Sequence, residues 1–224
     1  MGIKSVMFDL DGTLIDSAAD IQHCLNMAAL ETIDSKLTEN IVPYLGPPIL
    51  SIIKKLVPDS FSQGALEIEK RFRAIYDGCG FDRTHLFPDA REVVDHFNET
   101  GIQTYIVTNK PSQPCRLIIQ RYFEKNQAFI CPDSFPDLGK LSKTQMITLL
   151  LSKYDLKSEE TLFVGDTSED IEAARGNGIR SVAVTYGYGD KSALYDCEPD
   201  FYIDHLTNLL ELVKNWRYSS EPDI

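Results

Sequence analysis

Long apolar runs are missing from this chain: none is long enough to cross a bilayer as a helix, so no segment is expected to span a membrane. Basic residues are scarce as well. Lys and Arg number 22 against 34 Asp and Glu, a formal charge of −12. A surface of that sign repels nucleic acid and anionic lipid, and neither is expected as a partner. The five cysteines (Cys24, Cys79, Cys115, Cys131, Cys197) form no C-x-x-C pair, so neither a zinc site nor a disulfide framework is suggested. His23, His85, His96 and His205 are scattered without metal-ligand spacing, and the lone Trp216 is expected to pack the last helical segment. A strand-like run starts almost at the first residue, which leaves no room for a signal peptide. Together with the cysteine pattern this points to a reducing cytoplasm.

What the chain does contain is size and alternation. Its 224 residues, 43% hydrophobic and 25% charged, suit one folded domain, or one domain with a smaller insertion. Apolar runs of strand length occur at Ser5 to Phe8, Gln103 to Val107, Ala128 to Cys131, Thr161 to Val164 and Ser181 to Val184, with amphipathic segments between most of them. Parallel strands need long crossovers, which are usually helices. The alternation therefore predicts an α/β fold with a parallel sheet covered on both faces. Pro88-Asp89 opens one helical segment, with Val93, Val94 and Phe97 on one face. Ser142 is placed to cap another that carries Met146, Ile147, Leu149 and Leu150. Between Ile15 and about Leu86 the alternation breaks. That stretch has helical segments (Ile21 to Ala29, Ile49 to Leu56, Ala65 to Tyr76) and no convincing strand, which reads as an insertion over residues 16–86 in a core made of 1–15 and 87–224.

Asp9 and Asp11 follow the first apolar run directly, in Phe8-Asp9-Leu10-Asp11-Gly12-Thr13. Both then emerge at the C-terminal end of a strand, where open parallel sheets place their ligand sites. A carboxylate there can attack phosphorus, and the resulting aspartyl-phosphate splits a hard hydrolysis into two displacements. A second carboxylate two residues on can protonate the leaving oxygen and then deprotonate the attacking water. The plain alternative for the isolated string is a strand ending in an Asp-Gly turn. Gly165-Asp166-Thr167-Ser168-Glu169-Asp170 repeats the arrangement after Leu162-Phe163-Val164. Oxygen ligands from separate strand ends suit magnesium, whose octahedron is completed by substrate phosphate and water. Here the alternative is Asp166 as a helix N-cap and Asp170 as first-turn charge. Thr108 ends the strand through Val107 and can donate to a phosphoryl oxygen. Lys143, at the start of the Ser142 helix, can neutralise the same group. Each of these two residue types is common at such positions for other reasons.

The four groups fall at successive strand ends or at the start of a crossover helix, in a consistent order. In this the chain resembles the haloacid dehalogenase superfamily, whose four motifs are matched by Asp9-Leu10-Asp11-Gly12-Thr13, Thr108, Lys143 and Gly165-Asp166 to Asp170. The resemblance implies a Rossmann-like, doubly wound core with an inserted α-helical cap, a Mg2+ cofactor and a small phosphorylated metabolite as substrate. It implies Asp9 as nucleophile, Asp11 as general acid and base, and Thr108 and Lys143 as stabilisers of the phosphate and the intermediate. Asp166 would hold magnesium with the Asp9 carboxylate and the Asp11 backbone carbonyl, supported by Asp170. Leu10, Asn109 and Gly46 are implied as substrate- or phosphate-binding residues. Lys143 is preferred to Lys140 because it falls at the predicted helix start, at the expected distance before the Thr161 strand.

The insertion is similar to the cap of the phosphoglycolate phosphatase-like group, as are Leu45-Gly46-Pro47-Pro48, Phe87-Pro88-Asp89 and Tyr186-Gly187-Tyr188-Gly189. Such a cap would close over the substrate and exclude water. The acid at Asp11 disfavours a dehalogenase. A sugar phosphomutase, a pyrophosphatase and a phosphonate hydrolase share the core, the last requiring a cap lysine such as Lys54 or Lys55. A binding protein on the same fold is the nonenzymatic alternative, and four intact motifs speak against it.

Overall fold

The computed structural model describes residues 2–58, 61, 64–123 and 127–216. Along them run β1 (Ser5–Phe8), β2 (Ile15–Asp16), α1 (Ala18–Ile33), α2 (Ile49–Leu56), α3 (Ala65–Tyr76), β3 (His85–Leu86), α4 (Ala90–Glu99), β4 (Gln103–Val107), α5 (Ser112–Tyr122), β5 (Ala128–Ile130), α6 (Lys143–Lys153), β6 (Thr161–Gly165), α7 (Ser168–Gly176), β7 (Arg180–Val184), α8 (Lys191–Asp196), β8 (Phe201–Ile203) and α9 (Asn208–Asn215). The chain divides into two compact units: Met1–Ile15 with Leu86–Ile224, and Asp16–His85.

In the first unit six parallel strands form one sheet in the order β5-β4-β1-β6-β7-β8. This is the α/β architecture the alternation predicts. β1 and β6 are buried throughout, and β4 and β7 are buried after their first residue. Strands covered on both faces have no solvent side for polar residues, so they read as continuous apolar runs. Met7 pairs with Tyr105 on one side and Phe163 on the other. That row packs against Met146, Ile147 and Leu150 of α6 and Ala173 and Ala174 of α7. Burying a side chain such as Phe163 contributes roughly 1.5–3 kcal/mol. Helix α6 starts where the sequence suggests, because Ser142 and Gln145 cap it reciprocally: Gln145 N donates to Ser142 Oγ at 3.3 Å and Ser142 N to Gln145 Oε1 at 2.9 Å.

Strand order positions the site. β1 lies between β4 and β6, so the chain leaves the centre toward β5 on one side and β8 on the other. The ends are level, with Phe8 opposite both Ile106 and Val164. Residues just beyond those positions therefore share the crevice at the topological switch point, where crossovers diverge and leave room for a ligand.

The second unit is helical. Ala65, Ile68, Phe72 and Tyr76 recur at helical spacing on α3 and are buried, and α1 and α2 both pack on this helix. Phe72 stacks on Tyr76, whose ring meets Phe81 edge-on at 5.2 Å. One expectation needs correction: the region read as strandless begins and ends in β2 and β3, which pair as a two-stranded ribbon. Two residues each are too few to show a period. Edge strand β8 was also not expected, because its three residues include the exposed Tyr202 and follow the polar Glu198-Pro199-Asp200. Among the described residues no helix is long and apolar enough to cross a membrane.

Candidate active site

Asp9 follows β1 and is held by its own N–H, which donates to Val164 O at 2.8 Å across to β6. The chain then turns tightly, with Leu14 N and Ile15 N both donating to Leu10 O and Gly12 N to Ile15 O. Gly12 has φ 91°, and a Cβ there would sit 2.3 Å from Asp166 Oδ2. No L side chain fits that turn without displacing Asp166. Asp166 follows β6, and Asp170 lies in the first turn of α7. Oxygens of Asp9, Asp166 and Asp170 all lie within 4.8 Å of one another, and all three residues are buried.

Lys143 enters this cluster from the start of α6. Its Nζ donates to Asp9 Oδ1 at 2.7 Å and to Asp170 Oδ1 at 2.5 Å, with the lysine only 3% exposed. Lys140, the rival at three residues' distance, is exposed. Asp170 is shared in two directions, since its other oxygen accepts from Thr167 Oγ1 at 2.6 Å and Thr167 N at 3.0 Å. The N-cap of α7 is thus Thr167, which frees Asp166 from the capping role that sequence spacing also allowed.

Three carboxyl groups face one ammonium, so acids outnumber bases in the cluster. Burial pushes Asp9 well above the usual carboxylate range; Asp170 and Asp166 add to this, and Lys143 opposes it. Asp166 is raised to about 7, chiefly by burial and then by Asp170, against N–H groups of Tyr188 and Gly189 that favour its charged form. Burial works to discharge Lys143, yet Asp170 and Asp9 more than reverse it, so the lysine stays firmly protonated.

Asp11 lies outside this cluster. Its Oδ1 accepts from Lys110 Nζ at 2.8 Å, and its side chain keeps 23% of its exposure. Lys110 is itself buried and is the residue the sequence reading passed over. Its position two residues beyond Thr108, at the same strand end, was the available signal. Thr108 is buried, with its hydroxyl accepting from Lys110 N at 3.1 Å. Asn109 is half-buried and donates to Glu169 Oε2 at 2.9 Å. The Leu10 side chain is fully buried, so any contact with a phosphate falls to its backbone. Gly46 belongs to the helical unit, exposed in a turn with φ 114°.

A sequence profile described as haloacid dehalogenase-like hydrolase matches residues 6–184, which takes in Asp9, Asp11, Thr108, Lys110, Lys143, Asp166 and Asp170. The chain belongs to the haloacid dehalogenase-like hydrolases. A phosphoglycolate phosphatase of Vibrio parahaemolyticus is 30% identical over 94% of this chain and 96% of its own length, and one of Vibrio cholerae is 31% identical over 94% and 97%. A protein of Caldanaerobacter subterraneus provisionally named a pyrophosphatase is 32% identical over 96% of each chain. Among solved structures, a predicted phosphoglycolate phosphatase from Haemophilus somnus superposes with a TM-score of 0.81 at 25% identity, covering 94% of this chain and 97% of that one.

A divalent metal fits the donor set of this hydrolase. Asp9, Asp166 and Asp170 offer only oxygens, which hard cations prefer, and their negative charge exceeds what Lys143 balances. Burial first, and then the neighbouring carboxylates, raise Asp9 and Asp166, and a cation among them would oppose both effects.

Proposed function

We propose that this hydrolase is a magnesium-dependent phosphatase that cleaves a small phosphomonoester, phosphoglycolate or a close relative, through an aspartyl-phosphate on Asp9. The observation that carries the reading is the pairing of Asp9 with Lys143 inside a buried carboxylate cluster. Nothing in a merely structural strand end calls for burying three acids around one lysine, because each buried charge costs several kcal/mol unless compensated. The two named phosphoglycolate phosphatases, matched over nearly their full length, support the substrate class.

Magnesium held by Asp9, Asp166 and the Asp11 backbone carbonyl, with Asp170 behind them, would supply positive charge to the phosphoryl oxygens. The rest of the chemistry belongs to the side chains. Lys143 donates to Asp9 Oδ1, which opposes the protonation that burial favours and aims the carboxylate, so the other oxygen is the one to attack phosphorus. As the Asp9 oxygen–phosphorus bond forms, the bond to the leaving oxygen breaks, and Asp11 gives that oxygen its proton. Water then attacks the phosphoryl group, Asp11 takes the proton back, and phosphate and free Asp9 are released. Lys110 orients Asp11 between these two tasks. Thr108, Asn109 and the Leu10 backbone are assigned to the phosphoryl oxygens. The helical unit, with Gly46 in its exposed turn, is assigned to substrate selection as a cap.

The test is phosphate release by the purified protein with Mg2+ from a panel containing phosphoglycolate, other small phosphomonoesters, sugar phosphates and pyrophosphate. Turnover concentrated on phosphoglycolate or a similarly small ester is expected. Release from pyrophosphate alone would move the assignment to the activity named for the Caldanaerobacter relative. No release from any member would refute the phosphatase reading.

A further inference from the structure

The segment after β7, Tyr186-Gly187-Tyr188-Gly189, wraps one side of Asp166. Tyr188 N donates to Asp166 Oδ2 at 2.7 Å and Gly189 N at 3.1 Å, while Thr13 Oγ1 donates to the other oxygen at 3.2 Å. The fit leaves no room for side chains. A Cβ on Gly187 would stand 2.3 Å from Asp166 Cβ and 2.5 Å from both Asp166 Oδ2 and Gly12 O, and one on Gly189 would stand 1.9 Å from Asp166 O. The loop is also tied to the turn after β1. Tyr186 donates its hydroxyl to Thr13 O at 2.7 Å, and its ring lies against Phe87, with centroids 4.8 Å apart. Phe87 N in turn donates to Leu14 O at 3.0 Å.

These contacts join two strand ends that the proposed metal draws upon, β1 with Asp9 and the Asp11 carbonyl, and β6 with Asp166. We propose that the Tyr186–Gly189 loop is a positioning element for Mg2+: its two N–H groups fix the Asp166 carboxylate, and the Tyr186 hydroxyl fixes the β1 turn against it. The inference rests on the reading of Asp166 as a metal ligand. A carboxylate held by three donors loses its rotamer freedom before the cation arrives, so less entropy remains to be lost on binding. Gly187 and Gly189 are required by proximity rather than by backbone conformation, because neither has a positive φ. Neither they nor Tyr186 touches the reacting atoms in this account.

Calorimetric titration of Mg2+ into the substrate-free protein tests this. In Gly187→Ala the dissociation constant is expected to rise about tenfold or more, and in Tyr186→Phe, which keeps the ring on Phe87, about threefold. In activity assays both variants should need more Mg2+ for half-maximal rate, and kcat at saturating Mg2+ should recover most of its value, a split that general loss of folded protein does not produce. A folded Gly187→Ala protein that binds Mg2+ within twofold of the parent overturns the proposal. If that variant shows no cooperative thermal transition, Tyr186→Phe decides, and an unchanged constant overturns it. Asp166→Ala separates the two levels. Undiminished Mg2+ binding there removes the ligand reading itself, whereas lost binding alongside unaffected loop variants removes the positioning role alone.

Discussion

The two units bury polar residues for different ends. In the sheet unit Asp9, Asp166, Asp170, Lys143 and Lys110 are all buried within reach of one crevice, and their charges do not cancel. In the helical unit buried polar groups fasten loops. Asn26 Oδ1 accepts from Leu37 N and Thr38 N, and Asp20 Oδ2 accepts from Arg83 N and from the Thr84 hydroxyl at 2.8 Å. Even the buried Asp20 Oδ1, which has no hydrogen-bond donor, has Arg83 Nη1 at 3.7 Å. A surplus of buried acids marks the unit to which the proposed chemistry is assigned, and in the other unit the buried polar groups are matched by loop donors.

The largest test of that contrast is Asp9→Asn. Removing the proposed nucleophile while keeping its size should lower kcat by at least about 10⁴-fold with the fold intact by circular dichroism. Asp11→Asn should cost about 10²–10⁴-fold on an alkyl phosphate and far less on an aryl phosphate, whose leaving group needs no proton. Equal losses on the two esters would remove Asp11 as the acid. Lys143→Ala should lower kcat by about 10²–10³-fold, measured at saturating Mg2+.

Two stability measurements sharpen the contrast further. Burial holds Asp166 at about 7 and Asp9 above its usual range when folded, so between the ordinary carboxylate range and about pH 7 the folded state binds more protons than the unfolded one. Stability of the metal-free protein should then fall as pH rises through that window. Its melting temperature is expected to be higher at about pH 5 than at about pH 7.5, and Mg2+ should narrow the gap. In the helical unit Asp20→Ala should cost about 1–3 kcal/mol in denaturant unfolding, while turnover per folded molecule stays near that of the parent. A loss of turnover beyond the loss of folded protein would erase the distinction between the units.

The sheet unit was the more legible in sequence for a related reason. Strands buried on both faces announce themselves as apolar runs, and an acid directly after such a run is conspicuous, which singles out Asp9, Asp11 and Asp166 as candidates. Lys143 was readable through the Ser142 cap that places it at a helix start. Lys110 was not, because a lysine after Thr108-Asn109 resembles any solvated strand end until the fold buries it beside Asp11. The part played by the Tyr186–Gly189 loop was equally hidden. Its N–H groups carry no side-chain signature, and the closeness that requires glycine exists only once β6 and β7 are paired. Strand order itself is long-range information, and β8, with three residues and one of them exposed, is too short to show a period.

The covalent role of Asp9 is tested most directly by the stereochemical course at phosphorus, followed with a substrate whose phosphoryl group is made chiral by oxygen isotopes. Two displacements, first by Asp9 and then by water, each invert, so the account predicts net retention. Net inversion would mean that water attacks the ester in one step and would contradict it.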